Sequence, residues 1–595
     1  MEKKNIAIIV LAVALIASGV GNIILAVRVV PQPTYNTLVY GTGAGPHTID
    51  PVNCWDSASS DVILQTCEGL FGYDLSQWTM PRVPMLATGY YWQDNTHLQV
   101  TLRQGVQFQD GAVWNSTSAV WNFNRIMYLT NATGTLPESS PLAEPASLYF
   151  FNMTYNADGV MNGGTPIIKS VTAQGEWNIT FTLNAAFAPF LDLLCFEASL
   201  MVSPKSTPAT SFLTLSDTLV GTGPYTFESF TPNVDVRWIR NEHYWRPQAG
   251  FHTLVFSIIS DSVTRNNAFL GGQTDFCAGI IASLLPTYES DPNIFVWHIT
   301  DDPSAFPNGP GTPPGSEHLP GLAYYYLGFN NHLINVTYRK AISYAINYTY
   351  IIDQMMSGLV FRANSPISPG YGAAFNSSVQ AAYYNLTIAR QTILNIPGFA
   401  AAHPTLKANN TIETGTGWNA ISIASFNYTY NTETSFRVQL YAPLHDWMAQ
   451  IGIDVVDNGI TWDSFLDALY VHHDRLGLYW VGWGPDYLDP FNMLDPLFNP
   501  ASTSDSAQVN DTTLIGLMQQ ALRTTDQVAR DNIYKHIQYY LANVLYPHAF
   551  GYHGLLNAIH AGDIYGVNYN AMGKVEMYGV YRGPMRPVSQ TTFYA

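Results

Sequence analysis

Hydrophobic and polar positions along this chain follow two periods, and the two periods take turns. Leu98, Val100 and Leu102 alternate with Gln99, Thr101 and Arg103, the period of two that marks a strand with one buried face. Residues 37–41, 176–183, 225–230, 254–259 and 324–329 read as further strands, and the unbroken apolar run 476–481 reads as a buried one. Between them the spacing becomes helical. Residues 57–70 predict a helix with Val62, Ile63, Thr66, Cys67 and Leu70 on one face and Ser57 or Ser59 as its cap. Ser116 is positioned to cap a helix through Arg125, and Asp261 one that ends at Gly271-Gly272. The clearest helix spans 338–356, where Ile342, Ala345, Ile346, Thr349, Ile352 and Met356 share a face and Gly358 ends it. The stretch 302–320 is rich in Pro and Gly, lacks periodicity, and predicts a long surface loop. Strands and helices alternate without an internal repeat, so the predicted class is α/β.

One apolar run stands apart. Lys3 and Lys4 precede residues 6–27, interrupted by Asn22. About 22 residues rising 1.5 Å each cover a bilayer's hydrocarbon core. The lysines favour the cytoplasmic side, leaving the rest outside. Residues 1–27 are therefore expected to form a retained signal-anchor helix, followed by a linker over 28–36. A cleaved signal peptide is the alternative. The expected location is the cell surface, with secretion if the segment is cleaved. Asn-x-Ser/Thr sequons, among them Asn115, Asn131, Asn335, Asn385, Asn427 and Asn510, suggest a glycosylated surface protein. Their weight of Asn, Tyr and Thr gives the chain an archaeal-like composition. Outside the cell the four cysteines could pair; Cys54–Cys67 would close a short loop, and buried free thiols are the alternative.

Composition sharpens this picture. The chain has 595 residues, 47% of them hydrophobic, enough for several domains or lobes with large cores. Only 11% are charged, against roughly 25% in ordinary soluble proteins. The net charge of −18 comes without a basic stripe, which argues against nucleic acid as a partner. His472-His473 with Asp474 is the one metal-like cluster, but adjacent strand residues face opposite ways, so a solvated loop is the better reading. The glycines of 41–45 lack a following Lys-Ser/Thr pair, and neither Gly-x-Ser-x-Gly nor His-Glu-x-x-His occurs. No catalytic residue, cofactor or metal is expected, and the chain does not read as an enzyme.

The most informative stretch is Gly482-Trp483-Gly484-Pro485-Asp486-Tyr487-Leu488-Asp489-Pro490. A buried strand running into a Gly- and Pro-rich turn presents polar groups at an edge. A carboxylate beside an indole face suits a cation or amine; an ordinary loop with an Asp-Pro turn is the alternative.

Further landmarks occur in a fixed order. They are Thr48-Ile49-Asp50-Pro51, Glu68-Gly69-Leu70, Leu102-Arg103-Gln104-Gly105-Val106-Gln107-Phe108-Gln109-Asp110-Gly111, Gly221-Thr222-Gly223-Pro224-Tyr225, Asn241-x-x-Tyr244-Trp245, Arg339-Lys340-Ala341-Ile342-Ser343-Tyr344-Ala345-Ile346-Asn347, and Gly482-Trp483 through Asp489-Pro490. From about Leu38 to Arg582 this order resembles the oligopeptide- and dipeptide-type extracellular solute-binding proteins of ABC importers (family 5, cluster C). The resemblance implies a bilobal periplasmic-binding-protein-like (class II) fold with an extra domain. The first lobe would comprise 37–75, 203–300 and 560–595, the extra domain 76–202, and the second lobe 301–559. It implies capture of oligopeptides or dipeptides in a hinged cleft and delivery to an ABC permease. Asp486 occupies the position that pairs with a ligand amine, and Trp483 the position that packs on the ligand. The loop after Asp50-Pro51 lines the cleft in the family, which adds Asn53, Trp55, Asp56 and Ser57; turn formation and helix capping are their alternatives. The chain departs from the pattern in two places. Cys67 stands where Tyr is usual, and no Arg precedes Gly482-Trp483. Related members bind oligosaccharides on aromatic rings, so a sugar ligand stays open. An exported hydrolase and a surface-layer protein are the readings from other classes. Asp486 and Asp489 lie three residues apart on one turn, unlike glycosidase carboxylates, which flank the scissile bond.

Overall fold

The structure, a computed structural model, describes residues 36–77, 80–137, 140–155, 161–298, 320–409, 417–432, 434–555, 557–568 and 570–584. The period-two runs assemble into two large sheets. The first orders its strands Tyr225–Thr231, Asp235–Arg240, Thr253–Ile258, Thr37–Thr42, Phe276–Cys277, Asn557–Ala561, Ile294–His298. The second orders them Val360–Arg362, His548–Leu555, Pro320–Phe329, Leu478–Trp483, Ala424–Asn431, Ile453–Ile460. The chain passes between the two sheets twice, after His298 and after Leu555. A third, antiparallel sheet comprises Ala87–Asp94, His97–Leu102, Asn178–Leu183 and Ile168–Ala173. The Ser116–Leu129 helix packs on it, with Phe123 edge-on to Phe181 at 4.7 Å. Leu98, Val100 and Leu102 are all buried, as their alternation predicts.

Helix ends differ from the pattern where tertiary contacts claim the backbone. The helix predicted over 57–70 stops at Ile63. Beyond it, the carbonyls of Gln65 and Thr66 accept from the amides of Tyr225 and Gly223 at 3.1 and 2.8 Å, so they are not free for a helical ladder. Asp56, rather than Ser57 or Ser59, is the cap. Asn115 caps the Ser116–Leu129 helix, which runs past Arg125. The helix predicted over 338–356 is Val336–Ala345, followed by a separate wide turn, Tyr350–Met355. The Tyr344 carbonyl accepts from the Asn385 amide at 2.8 Å, and the Asn347 side chain accepts from the Tyr350 amide at 3.0 Å. A side chain that bonds its own backbone competes with the helix. Asn115, Asn335 and Asn385 each cap a helix, so those sequons have a folding role of their own.

The ordered motifs converge on scaffolding. Buried Glu68 accepts from Tyr244 Oη at 2.7 Å and from Trp245 Nε1 and Thr222 Oγ1, each at 2.8 Å. Three separated motifs thus share one carboxylate, whose pKa burial raises against those bonds. A Cβ on Gly221 would sit 2.2 Å from the Thr66 carbonyl, so only glycine lets the segments touch. Gln109 pins the same turn, donating to the Gly223 and Tyr225 carbonyls at 3.1 and 2.9 Å. Asp50 is fully buried, paired with Arg125 and accepting from the Leu213 amide at 2.8 Å. Arg339 donates to the carbonyls of Ile334, Leu545 and Tyr546.

Other expectations meet the structure as follows. Cys54 and Cys67 are not bonded to each other; all four cysteines are buried free thiols. His473 lies in a short turn, His473–Arg475, before the Leu478–Trp483 strand, and no metal-ligating group forms among the described residues. The expected membrane segment and nearly all of the 302–320 loop lie outside the described residues, within which no helix is long and apolar enough to cross a membrane.

Candidate ligand-binding site

The Leu478–Trp483 strand lies inside the second sheet, between Pro320–Phe329 and Ala424–Asn431. Gly482 pairs with Tyr325, and a Cβ there would come within 2.5 Å of the Tyr325 ring. Glycine therefore lets the strand reach its end against a tyrosine wall, and Trp483 emerges at the edge. Its indole Nε1 donates to the Asn492 carbonyl at 2.9 Å. Its ring meets Trp55 edge-on at 5.9 Å between centroids.

Asn492, fully buried, also sets Asp486. The Asp486 amide donates to Asn492 Oδ1 at 2.6 Å, and Asn492 Nδ2 donates to Asp486 Oδ2 at 2.9 Å. The half-buried carboxylate keeps Oδ1 without a hydrogen-bond partner among the described residues. Burial pushes its pKa up to about 7; the Asn492 bond opposes that, the Glu197 carboxylate adds to it, and the Lys574 ammonium opposes it. Glu197 is ion-paired with Lys574 and accepts from Ser60 Oγ at 2.9 Å. Asp61 belongs to the same electrostatic neighbourhood: burial raises it to about 8, with Glu197 and Asp56 adding to the shift and Lys574 opposing it. Lys574 is thus paired with Glu197, and Asp486, which ionises near neutral pH, shares Asn492 with Trp483, whose ring meets Trp55. Such a group takes a cation or a protonated amine.

The expected site residues are placed differently from one another. Trp483 meets Trp55, and Trp483 and Asp486 are joined through Asn492. Asp56 uses both oxygens on its own helix, accepting from the Ser59 amide at 2.9 Å and Ser59 Oγ at 2.5 Å. Ser57 is an exposed first-turn residue of that helix, and Asn53 closes the short Pro51–Asn53 turn. Asp489 is committed to other partners than Asp486: it accepts from Tyr534 Oη at 2.7 Å and the Phe491 amide at 2.9 Å, with Arg530 at 3.4 Å. Asp486 and Asp489 therefore do not face one substrate as acid and base. Sequence reasoning missed Asn492, Glu197, Lys574 and Tyr371. The Tyr371 hydroxyl is buried without a hydrogen-bond partner among the described residues, and its pKa is raised by burial, then by Asp489 and Asp486. Asn492 was reachable as a polar residue just inside the same turn; the others come from distant segments.

Comparison with known proteins gives a consistent result. The family profile described as bacterial extracellular solute-binding proteins, family 5 Middle, matches residues 82–505. A heme-binding protein A of Haemophilus influenzae is 24% identical, with 85% of each chain covered. A di/tripeptide-binding protein of Pseudomonas aeruginosa is 22% identical over 87% of this chain and 88% of its own. Among solved structures, an ABC transporter-associated periplasmic binding protein from Helicobacter pylori, in complex with the peptide STSA, superposes with a TM-score of 0.74. Its identity is 20%, covering 92% of this chain and 98% of that one. The mixed α/β architecture is thus that of periplasmic binding proteins.

Proposed function

The chain belongs to the family 5 extracellular solute-binding proteins, which are binding proteins and not enzymes, and we propose that it captures peptides by their free amino group and delivers them to an ABC permease. The observation that carries this reading is Asp486: a half-buried carboxylate held by Asn492, with one oxygen unpartnered among the described residues, on the turn that also carries Trp483, whose ring meets Trp55. The named ligands of relatives include heme and di- and tripeptides, so the choice of a peptide rests on that carboxylate. In this reading the seven-stranded and six-stranded sheets are the cores of two lobes hinged at the two chain crossings, and ligand shifts the balance toward the closed form. Residues 76–202 form the extra domain, and residues 1–27 tether the protein to the membrane from outside.

Thermal unfolding with two ligand panels tests the proposal. Peptides of two to eight residues should raise the melting temperature, because ligand at a hundred times its Kd adds about 2.7 kcal/mol. Stabilisation by oligosaccharides alone would reassign the site to stacking on Trp55 and Trp483 and reject the amine reading. Asp486→Asn should weaken peptide binding by roughly 2–5 kcal/mol, the cost of removing one partner of a buried charge pair.

A further inference from the structure

The Asp486 turn is held from a second side by a residue remote in sequence. The Leu488 amide, two residues past Asp486, donates to Tyr73 Oη at 2.9 Å. Tyr73 in turn faces Asp192 Oδ1 at 3.3 Å, as donor. Asp192 Oδ1 also accepts from Arg82 Nη1 at 2.6 Å. Tyr73 and Arg82 are directly paired across the hairpin Phe71–Tyr73 and Arg82–Pro84, so one small element presents both groups to Asp192. Burial raises the Tyr73 pKa, so the hydroxyl keeps the proton it donates. Around the bond, Leu75, Met80, Leu322 and Ala571 form an apolar cluster with Leu488 and Tyr73 packed against it. Exclusion of water strengthens a hydrogen bond that bridges two such segments. Leu322 and Leu488 belong to the second sheet's part of the chain, whereas Tyr73, Leu75 and Met80 follow the first strand of the other.

We propose that Tyr73 is a positioning residue for ligand binding: a latch that fixes the Leu488 amide, and with it the Asp486 turn, while Asp192 and Arg82 orient its hydroxyl. The proposal rests on the reading of Asp486 as the ligand's amine partner, and deepens it by naming what holds the turn from the opposite segment. The bond holds the turn before a ligand arrives as well as after, so its loss should show chiefly in the release rate, where most changes at a binding surface act.

The test uses the full chain and Tyr73→Phe. Hydrogen exchange, read by mass spectrometry at single-amide resolution, should show Leu488 exchanging about tenfold faster in the ligand-free protein, the size expected for one net hydrogen bond. The Phe491 amide, bonded to Asp489 in the same turn, should be unchanged, which a general loosening of the fold would not allow. A free-amine tripeptide should dissociate about tenfold faster, with its association rate altered less than about twofold. Asp192→Ala removes the acceptor that orients the hydroxyl and should move the Leu488 exchange in the same direction. Unchanged Leu488 exchange in Tyr73→Phe would overturn the latch, and faster exchange with unaltered peptide release would overturn its role in binding. If the unmodified protein binds no peptide at all, the functional reading fails, while the Leu488 exchange still decides whether the latch exists.

Discussion

Asp486 joins two properties that pull against each other. Its site is dry enough to push the pKa to about 7, yet an amine ligand needs the ionised form. A carboxyl raised above its ordinary value holds a proton in the folded state that it lacks when unfolded, so its own contribution to stability falls as pH rises from about 4 through about 7. Binding has the opposite slope. Below about pH 7 the proton competes with the ligand's amine, and peptide affinity should fall roughly ten- to a hundredfold between pH 8 and pH 5. Isothermal titration across that range checks this, and a flat profile would show that Asp486 does not meet a charged amine. Asn492 supplies both bonds that orient Asp486. Asn492→Leu should destabilise the protein by about 1–3 kcal/mol, because it strands the Asp486 amide and one carboxylate oxygen. Chemical denaturation measures that cost directly.

At the scale of elements, strands were the most legible feature of the sequence, and the reason is physical. A strand such as His97–Leu102 is dictated by side chains alternating between a core and a polar face. Helix ends were less legible, because partners elsewhere in the chain set them. Nothing between residues 57 and 70 announces that the Gly221–Tyr225 turn claims the carbonyls of Gln65 and Thr66. The ordered motifs could be read as signs of a fold but not as parts of one hub. Glu68 shows what they are for, and it gives a prediction. Glu68→Leu leaves the Tyr244, Trp245 and Thr222 donors without an acceptor in a buried site. It should cost roughly 3–6 kcal/mol of stability, from about 1–3 kcal/mol for each stranded group discounted for relaxation. Urea unfolding measures the loss, and the fraction that remains folded should bind peptide with unchanged affinity. The binding turn was half legible for a related reason. Trp483, Asp486 and Asn492 lie within one short stretch, whereas Glu197, Lys574 and Tyr371 reach it only through tertiary folding.

Across the whole molecule, a chain with 11% charged residues buries several of the carboxylates it has. Burial leads the causes that raise Asp61 to about 8 and Asp486 and Asp495 to about 7. Each binds a proton more readily folded than unfolded, so the ligand-free protein should melt at a higher temperature at pH 6.5 than at pH 8.5. His553, lowered by burial to about 4, acts in the opposite sense: the unfolded chain takes its proton first, and stability is lost as pH falls below about 6.5. The three carboxylates outnumber it, so scanning calorimetry should find melting temperatures that fall from pH 6.5 to pH 8.5, with a shallower slope below about pH 6.5 where His553 opposes them. Melting temperatures that rise steadily up to pH 8.5 would contradict the burial of these carboxylates. In the proposed reading, the two sheets, the two chain crossings between them and the Asp486 turn belong to a body that closes on a solute carrying an amine. The most direct test of that account compares one tripeptide with its N-acetylated form by titration calorimetry, against the unmodified protein and Asp486→Asn. The account predicts that acetylation weakens binding to the unmodified protein by roughly 2–5 kcal/mol and makes little further difference once Asp486 is neutral. Equal affinity of the unmodified protein for the free and the acetylated peptide would contradict it.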